Sequence, residues 1–185
     1  MKKFLMPAFI IVVLVQWYVP GKMLWSREQV LKKGVAYRFE TEPIDPVNPF
    51  KGKYIVLNYE EDVYVFSTGQ FYETQEVYVL LRTGEDGFAK ISAVSSYKPD
   101  TTAAFVKAMV QYVENYNKNT LYLKYPFEEF YMDEYKAPKA ETVYRQAARD
   151  STKKTYAVVK IWKGESVLEN VFIGDTPIVV LSGAQ

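Results

Sequence analysis

Glu128, Glu129, Asp133 and Glu134 place four carboxylates within seven residues, in the run Phe127-Glu128-Glu129-Phe130-Tyr131-Met132-Asp133-Glu134. Carboxylates crowded in this way raise one another's pKa and can bind a hard cation such as calcium or magnesium. The run lacks the Asp/Asn/Gly pattern of a calcium loop, and acids alternating with aromatics are normal for an edge strand with one wet face. The structural reading is therefore preferred, and no metal is assigned. The chain has no histidine and no cysteine. Imidazole and thiolate are thus missing from any site, and with them Ser-His and Cys-His catalysis and the usual zinc, copper and haem ligation. The enzyme that remains conceivable is a carboxylate-dependent hydrolase drawing on Asp45, Glu128, Glu129 and Glu134. If it acted on glycosides it would need two acids about 5 to 9.5 Å apart in a cleft. No residue pattern calls for a cofactor.

Charge and aromatic content narrow the partners. Lys plus Arg (23) nearly cancels Asp plus Glu (22), so the broad basic field that drives nucleic-acid binding is absent and nucleic acid is not expected as a partner. The 16 Tyr and 3 Trp can supply stacking surfaces for a carbohydrate or peptide, although β-rich cores also use aromatics simply as packing. At 185 residues the chain has room for one ordinary domain after its leader.

That leader sets the expected location. Lys2 and Lys3 precede an apolar run over residues 4–19, interrupted by Pro7 and Gln16 and closed by Trp17 and Tyr18, rings that suit a membrane interface. The run ends Gln16-Trp17-Tyr18-Val19-Pro20-Gly21, without the small-x-small site of a cleaved signal peptide. Residues 1–21 are therefore expected to be a membrane anchor of the signal-anchor kind. Lys22, Arg27, Lys32 and Lys33 follow the run, so flanking charge alone leaves the orientation open. A short tail before such a run usually stays cytoplasmic. The domain is accordingly expected on the outer, periplasmic face of a bacterial inner membrane, held by a single pass.

Residues 22–34 read as an amphipathic connector. Ser26 and Gln29 have capping-box spacing and Gly34 supplies a stop, which predicts a two-turn helix over 27–33. It would either follow the membrane helix after a break at Pro20-Gly21 or lie along the head groups, its lysines facing phosphate. Residues 35–185 read mainly as strands. Runs over 35–41, 62–67, 76–82 and 121–125 are β-prone. The run 54–59 is apolar on both faces and so predicts a central strand. Glycine-containing turns predict hairpins joining 76–82 to 88–95 and 156–162 to 167–173, and 176–181 predicts a last strand. Residues 101–115 carry both a helical stripe (Phe105, Ala108, Met109, Tyr112, Val113) and β-prone residues; Ala140, Val143, Tyr144 and Ala147 predict a helix over 139–150. The fold class is α+β and β-rich. It is expected to be a mostly antiparallel sheet or partly open barrel with one or two short helices, preceded by a single N-terminal membrane helix.

A proline-punctuated loop, Asp45-Pro46-Val47-Asn48-Pro49-Phe50-Lys51, leads into Gly52-Lys53-Tyr54-Ile55-Val56-Leu57-Asn58-Tyr59. This segment resembles the signature of the GDYXXLXY family of bacterial membrane-associated proteins, with Lys53 where that signature has Asp. Tyr125 to Glu134, followed by Glu141, is similar to the family's second block, without the glycine that block carries near Lys136. The resemblance spans most of residues 24–181 and also favours a strand over 101–115. It implies Asp45, Pro46, Gly52, Tyr54, Leu57 and Tyr59 as motif positions in the first block and Glu128, Phe130, Tyr131 and Glu134 in the second. Of these, Asp45, Gly52, Tyr54, Tyr59, Glu128, Tyr131 and Glu134 are the candidate binding residues. Leu57 reads most simply as core, Gly52 as a position of close backbone approach, and Tyr54 and Tyr59 lie on opposite faces if the strand is straight. Lysine cannot replace a catalytic acid, so position 53 is not expected to be catalytic. The family has no established activity. Its resemblance implies a non-catalytic interaction domain working with a multi-pass membrane protein.

Overall fold

The computed structural model describes residues 2–42, 54–115, 119–131, 133, 135–149 and 154–183. Its first element is one helix, α1 (Lys2–Lys33), which runs through Pro20 and Gly21. Proline removes one backbone donor, but the good helix formers Lys22, Met23 and Leu24 continue the ladder. The break expected there does not occur, and Ser26 lies inside the helix instead of capping a new one. At about 1.5 Å per residue, the apolar run 4–19 reaches about 24 Å, short of a hydrocarbon core of about 30 Å. Among the described residues no helix is long and apolar enough to cross a membrane. The expected N-terminal helix is thus present, but its expected membrane crossing is not supported by that measure. Gly34 ends the helix, its amide donating to the Val30 carbonyl at 2.8 Å. A Cβ there would stand 2.4 Å from that oxygen and 3.1 Å from the Ile161 nitrogen, so glycine lets the helix end lie directly on the sheet.

The chain continues through β1 (Val35–Glu42), β2 (Tyr54–Val56), β3 (Asn58–Tyr59), a 3-10 turn (Glu60–Asp62) and β4 (Val63–Val65). The single strand expected over 54–59 is therefore two strands in different sheets, divided at Leu57. The Leu57 amide donates to the Glu128 carbonyl at 2.7 Å and its side chain is fully buried, so the chain changes sheet without stranding a donor.

Next, β5 (Glu76–Thr83) and β6 (Ala89–Ser95) form the expected hairpin. Then β7 (Phe105–Glu114) and β8 (Thr120–Lys124) pair antiparallel. The register of β7 shifts between Val110 and Tyr112. Val106, Ala108 and Val110 are buried and Val113 packs on the core from beyond the shift. Of the helical stripe, Phe105 and Ala108 are buried while Met109 and Tyr112 are exposed; the residue added at Gln111 moves the inward positions from Val110 to Val113, so neither period runs through the whole segment. The chain ends with β9 (Glu129–Tyr131), α2 (Ala137–Arg149), β10 (Thr155–Trp162), β11 (Glu165–Ile173), β12 (Thr176–Pro177) and α3 (Ile178–Gly183). The terminal strand expected over 176–181 is thus two residues of strand followed by a helical turn. Helical spacing brings Ile178 and Leu181 onto the same core.

Two antiparallel five-stranded sheets result, in the orders β12-β11-β10-β1-β3 and β4-β8-β7-β5-β6, with β2 and β9 as a separate pair. Together they make a β-rich, nearly closed, barrel-like body. Alternate residues of β10 (Thr155, Ala157, Val159, Ile161) point inward and meet Val77, Val79, Leu121 and Leu123 of the second sheet in one core. The sheets also touch through Gly164, which bridges Val106 and accepts the Lys107 amide at 3.2 Å. Gly164 has φ +89°, and a Cβ there would lie 2.7 Å from the Phe105 ring.

Because Leu57 is fully buried at the sheet crossing, Leu57→Ala is expected to lower stability by about 2 to 5 kcal/mol, read from urea unfolding in detergent. An unchanged midpoint would contradict this placement.

Candidate functional site

Both sequence blocks converge on one aromatic cluster. Phe39 of β1 contacts the rings of Tyr59, Tyr125 and Phe127 at centroid distances of 5.5, 5.7 and 5.1 Å. Tyr125 stacks on Phe127 at 5.0 Å. The buried Tyr59 hydroxyl donates to the Phe127 carbonyl at 2.7 Å, and the Tyr125 hydroxyl donates to the Glu61 carbonyl at 2.6 Å. Burial, reinforced by neighbouring phenols and carboxylates, pushes the Tyr59 and Tyr125 phenols well above their usual range. They therefore stay protonated donors, and they fix backbone rather than exchange protons.

Glu128 takes a similar part. Its carboxylate accepts the Tyr125 amide at 2.9 Å, and Lys124 approaches at 4.0 Å. Burial is the largest influence and raises its pKa, against the lowering effects of that amide and of Lys124; the charges of Asp62 and Glu129 raise it further. Asp62, in the turn between the sheets, is pushed up to about 6, chiefly by burial and then by Glu42. Glu61 is held on both oxygens, one accepting the Ile91 amide at 3.0 Å and the other meeting Lys90 at 2.9 Å. Among the described residues, no group of three or more acids is arranged to hold a metal ion.

The remaining candidates divide. Asp45, Gly52 and Glu134 lie outside the described residues. The backbone of Tyr54 pairs with Tyr131 across β2 and β9, while Tyr59 sits in the core on another sheet, so the two tyrosines do not share a strand face. Phe130 is buried, and Tyr131 is exposed with its hydroxyl donating to the Glu129 carboxylate. The outward wall of this block lines a cleft at the foot of α1. Two adjoining lobes, about 560 and 760 Å³, share Arg27, Lys124, Tyr125, Pro126, Ser166 and Val167. Lys107 and Glu165 pair across the first lobe at 3.1 Å. Exposed Met109 lines the first lobe, and Val56 and Leu168 line the second. Arg27, Lys107 and Met109 are not among the candidate site residues of the sequence, because their convergence depends on packing between α1, β7 and β11.

Two measurements check these roles. Tyr59→Phe leaves the buried Phe127 carbonyl without its donor and is expected to cost about 1 to 3 kcal/mol in urea unfolding. For Asp62, the folded pKa is about 6, above the ordinary carboxylate value near 4. The folded state therefore binds more protons between those values, and stability falls as pH rises from about 4 to about 6. Asp62→Asn should flatten that slope and raise the melting temperature at neutral pH; an unchanged slope would show that Asp62 is not desolvated.

The sequence model of the GDYXXLXY protein family matches residues 16–171. No curated protein and no solved structure matches. With the match covering both motif blocks and most of the length, the chain belongs to the GDYXXLXY protein family.

Proposed function

We propose that this protein is a non-catalytic, membrane-tethered interaction domain that holds a segment of a multi-pass membrane protein in the cleft at the foot of α1. The observation that carries the reading is the exposure of α1. Trp17, Tyr18 and Val19, then Met23, Leu24 and Trp25, are consecutive and all exposed. Three neighbours on a helix face different directions, so the apolar surface goes round the helix, a pattern suited to lipid or a large apolar interface and not to water. Counted from Met6 to Trp25, both exposed, this surface is about 30 Å long at 1.5 Å per residue, with Lys22 able to extend its ammonium towards the head groups. In this reading Lys2 and Lys3 remain cytoplasmic and the β-rich body stands on the periplasmic face of a bacterial inner membrane.

The cleft's chemistry favours recognition over turnover. Glu128, Glu129 and Glu165 are engaged by an amide, a phenol and an ammonium respectively, while Met109, Val56 and Leu168 offer apolar contact beside Arg27 and Lys124. Exposed Tyr72, Tyr97 and Tyr135 do not line the cleft; among the described tyrosines it is Tyr131 that is both exposed and in its lining.

A photo-crosslinking residue replacing Met109, in cells making the full chain, is expected to give a discrete adduct with a polytopic membrane protein. The same residue replacing Tyr97 should not. Equal adducts from both positions, or none from Met109, would defeat the proposal.

A further inference from the structure

We infer that the foot of α1 and the β10–β11 turn form a docking surface for the phosphates of anionic phospholipids, an inference that rests on the membrane reading above. Lys33 and Lys163 stand over the same ring, their ammonium groups 5.4 and 4.8 Å from the centre of Trp162. The indole attracts each cation, but the two cations repel one another, and among the described residues neither has a carboxylate partner. An anion that meets either ammonium supplies the missing counter-charge while the indole keeps its contact.

The neighbouring charges reinforce the site. Arg27 and Lys32 lie on the same end of α1. Glu28 is occupied by Lys32 at 2.6 Å, and Glu165 by Lys107 at 3.1 Å. With those two acids already paired, Lys33 and Lys163 keep charge that no carboxylate answers among the described residues. Lys163 also adopts φ +52°, a left-handed conformation that glycine or asparagine takes at lower cost. Keeping a long cation at that strained turn position fits a role for its charge.

The spacing along α1 fits lipid as the source of the anion. Trp25 is exposed, and Lys33 follows it by eight residues, about 12 Å along the axis. With Trp25 at the edge of the hydrocarbon, Lys33 stands about 12 Å out, beyond a head-group layer of about 5 to 8 Å a side, and the long lysine side chains reach back from there towards the phosphates.

The test uses the full chain with Ala36→Cys as its sole cysteine, carrying a fluorophore and reconstituted in vesicles containing a head-group quencher. Ala36 is exposed and pairs with Lys160, close to the patch. Replacing part of the phosphatidylcholine by phosphatidylglycerol should increase quenching several-fold, and Lys33→Gln with Lys163→Gln should abolish the increase. Lys33→Arg with Lys163→Arg should retain it, and all variants should still float with phosphatidylcholine vesicles. Equal quenching in the two lipids, or loss of the increase on adding inorganic phosphate at matched ionic strength, would overturn the lipid site while leaving the tether intact. Failure to float with any vesicle would instead remove the membrane reading and this inference with it.

Discussion

The structure depends on burying two tyrosines without burying an unpaired hydroxyl. Tyr59 and Tyr125 fill the space around Phe39, and each spends its polar atom on a carbonyl of a turn, at Phe127 and Glu61 respectively. A leucine or phenylalanine could fill much of the same volume, but it would leave those carbonyls without donors. The phenols therefore do two jobs at once: their rings supply the apolar contact and their hydroxyls fix the geometry of the chain where it changes sheet. The first motif block is tied to the second by this arrangement, which gives the paired blocks a physical meaning without requiring chemistry from them.

The same joint explains where the cleft falls. Because Tyr125 and Phe127 turn inward and Glu128 ties back to the Tyr125 amide, the segment that follows leaves the second sheet and pairs with β2. The barrel-like body does not close fully there. The C-terminal part of α1 lies against the same region, with Val30 buried, and the opening becomes a groove flanked by the helix. The same short segment thus builds the core with its inward side and lines the cleft with its outward side.

Much of the fold was legible because it rests on local rules. The glycines of the β5–β6 and β10–β11 turns, the alternation along β10 and the Ala140, Val143, Tyr144 and Ala147 stripe of α2 each carry their structure within a few residues. The failures were equally physical. Residues 54–59 satisfy the pattern of one buried strand, but the partner of the Leu57 amide is Glu128, far along the chain, and no local pattern encodes that choice. Residues 176–181 are β-prone by composition, yet the space beside α2 rewards Ile178 and Leu181 on one helical face. Pro20 and Gly21 look like a stop, but a helix survives one missing donor when its neighbours favour the same conformation.

For the site, sequence identified Tyr59, Glu128 and Tyr131 through their motif but did not separate their roles, since each residue type occurs in cores, turns and surfaces alike. Composition alone removed histidine and cysteine chemistry, and the order of residues alone determined an apolar leader, a β-rich body and its family. Tertiary packing alone decided that Tyr59 faces inward, that Glu128 holds an amide, and that Arg27, Lys107 and Met109 share a cleft. It also brought Lys33 and Lys163 over one indole. Periodicity reports which face a residue occupies over a turn or two, whereas convergence of distant segments is set by which buried donors and rings find partners, and that is resolved only when the whole core packs.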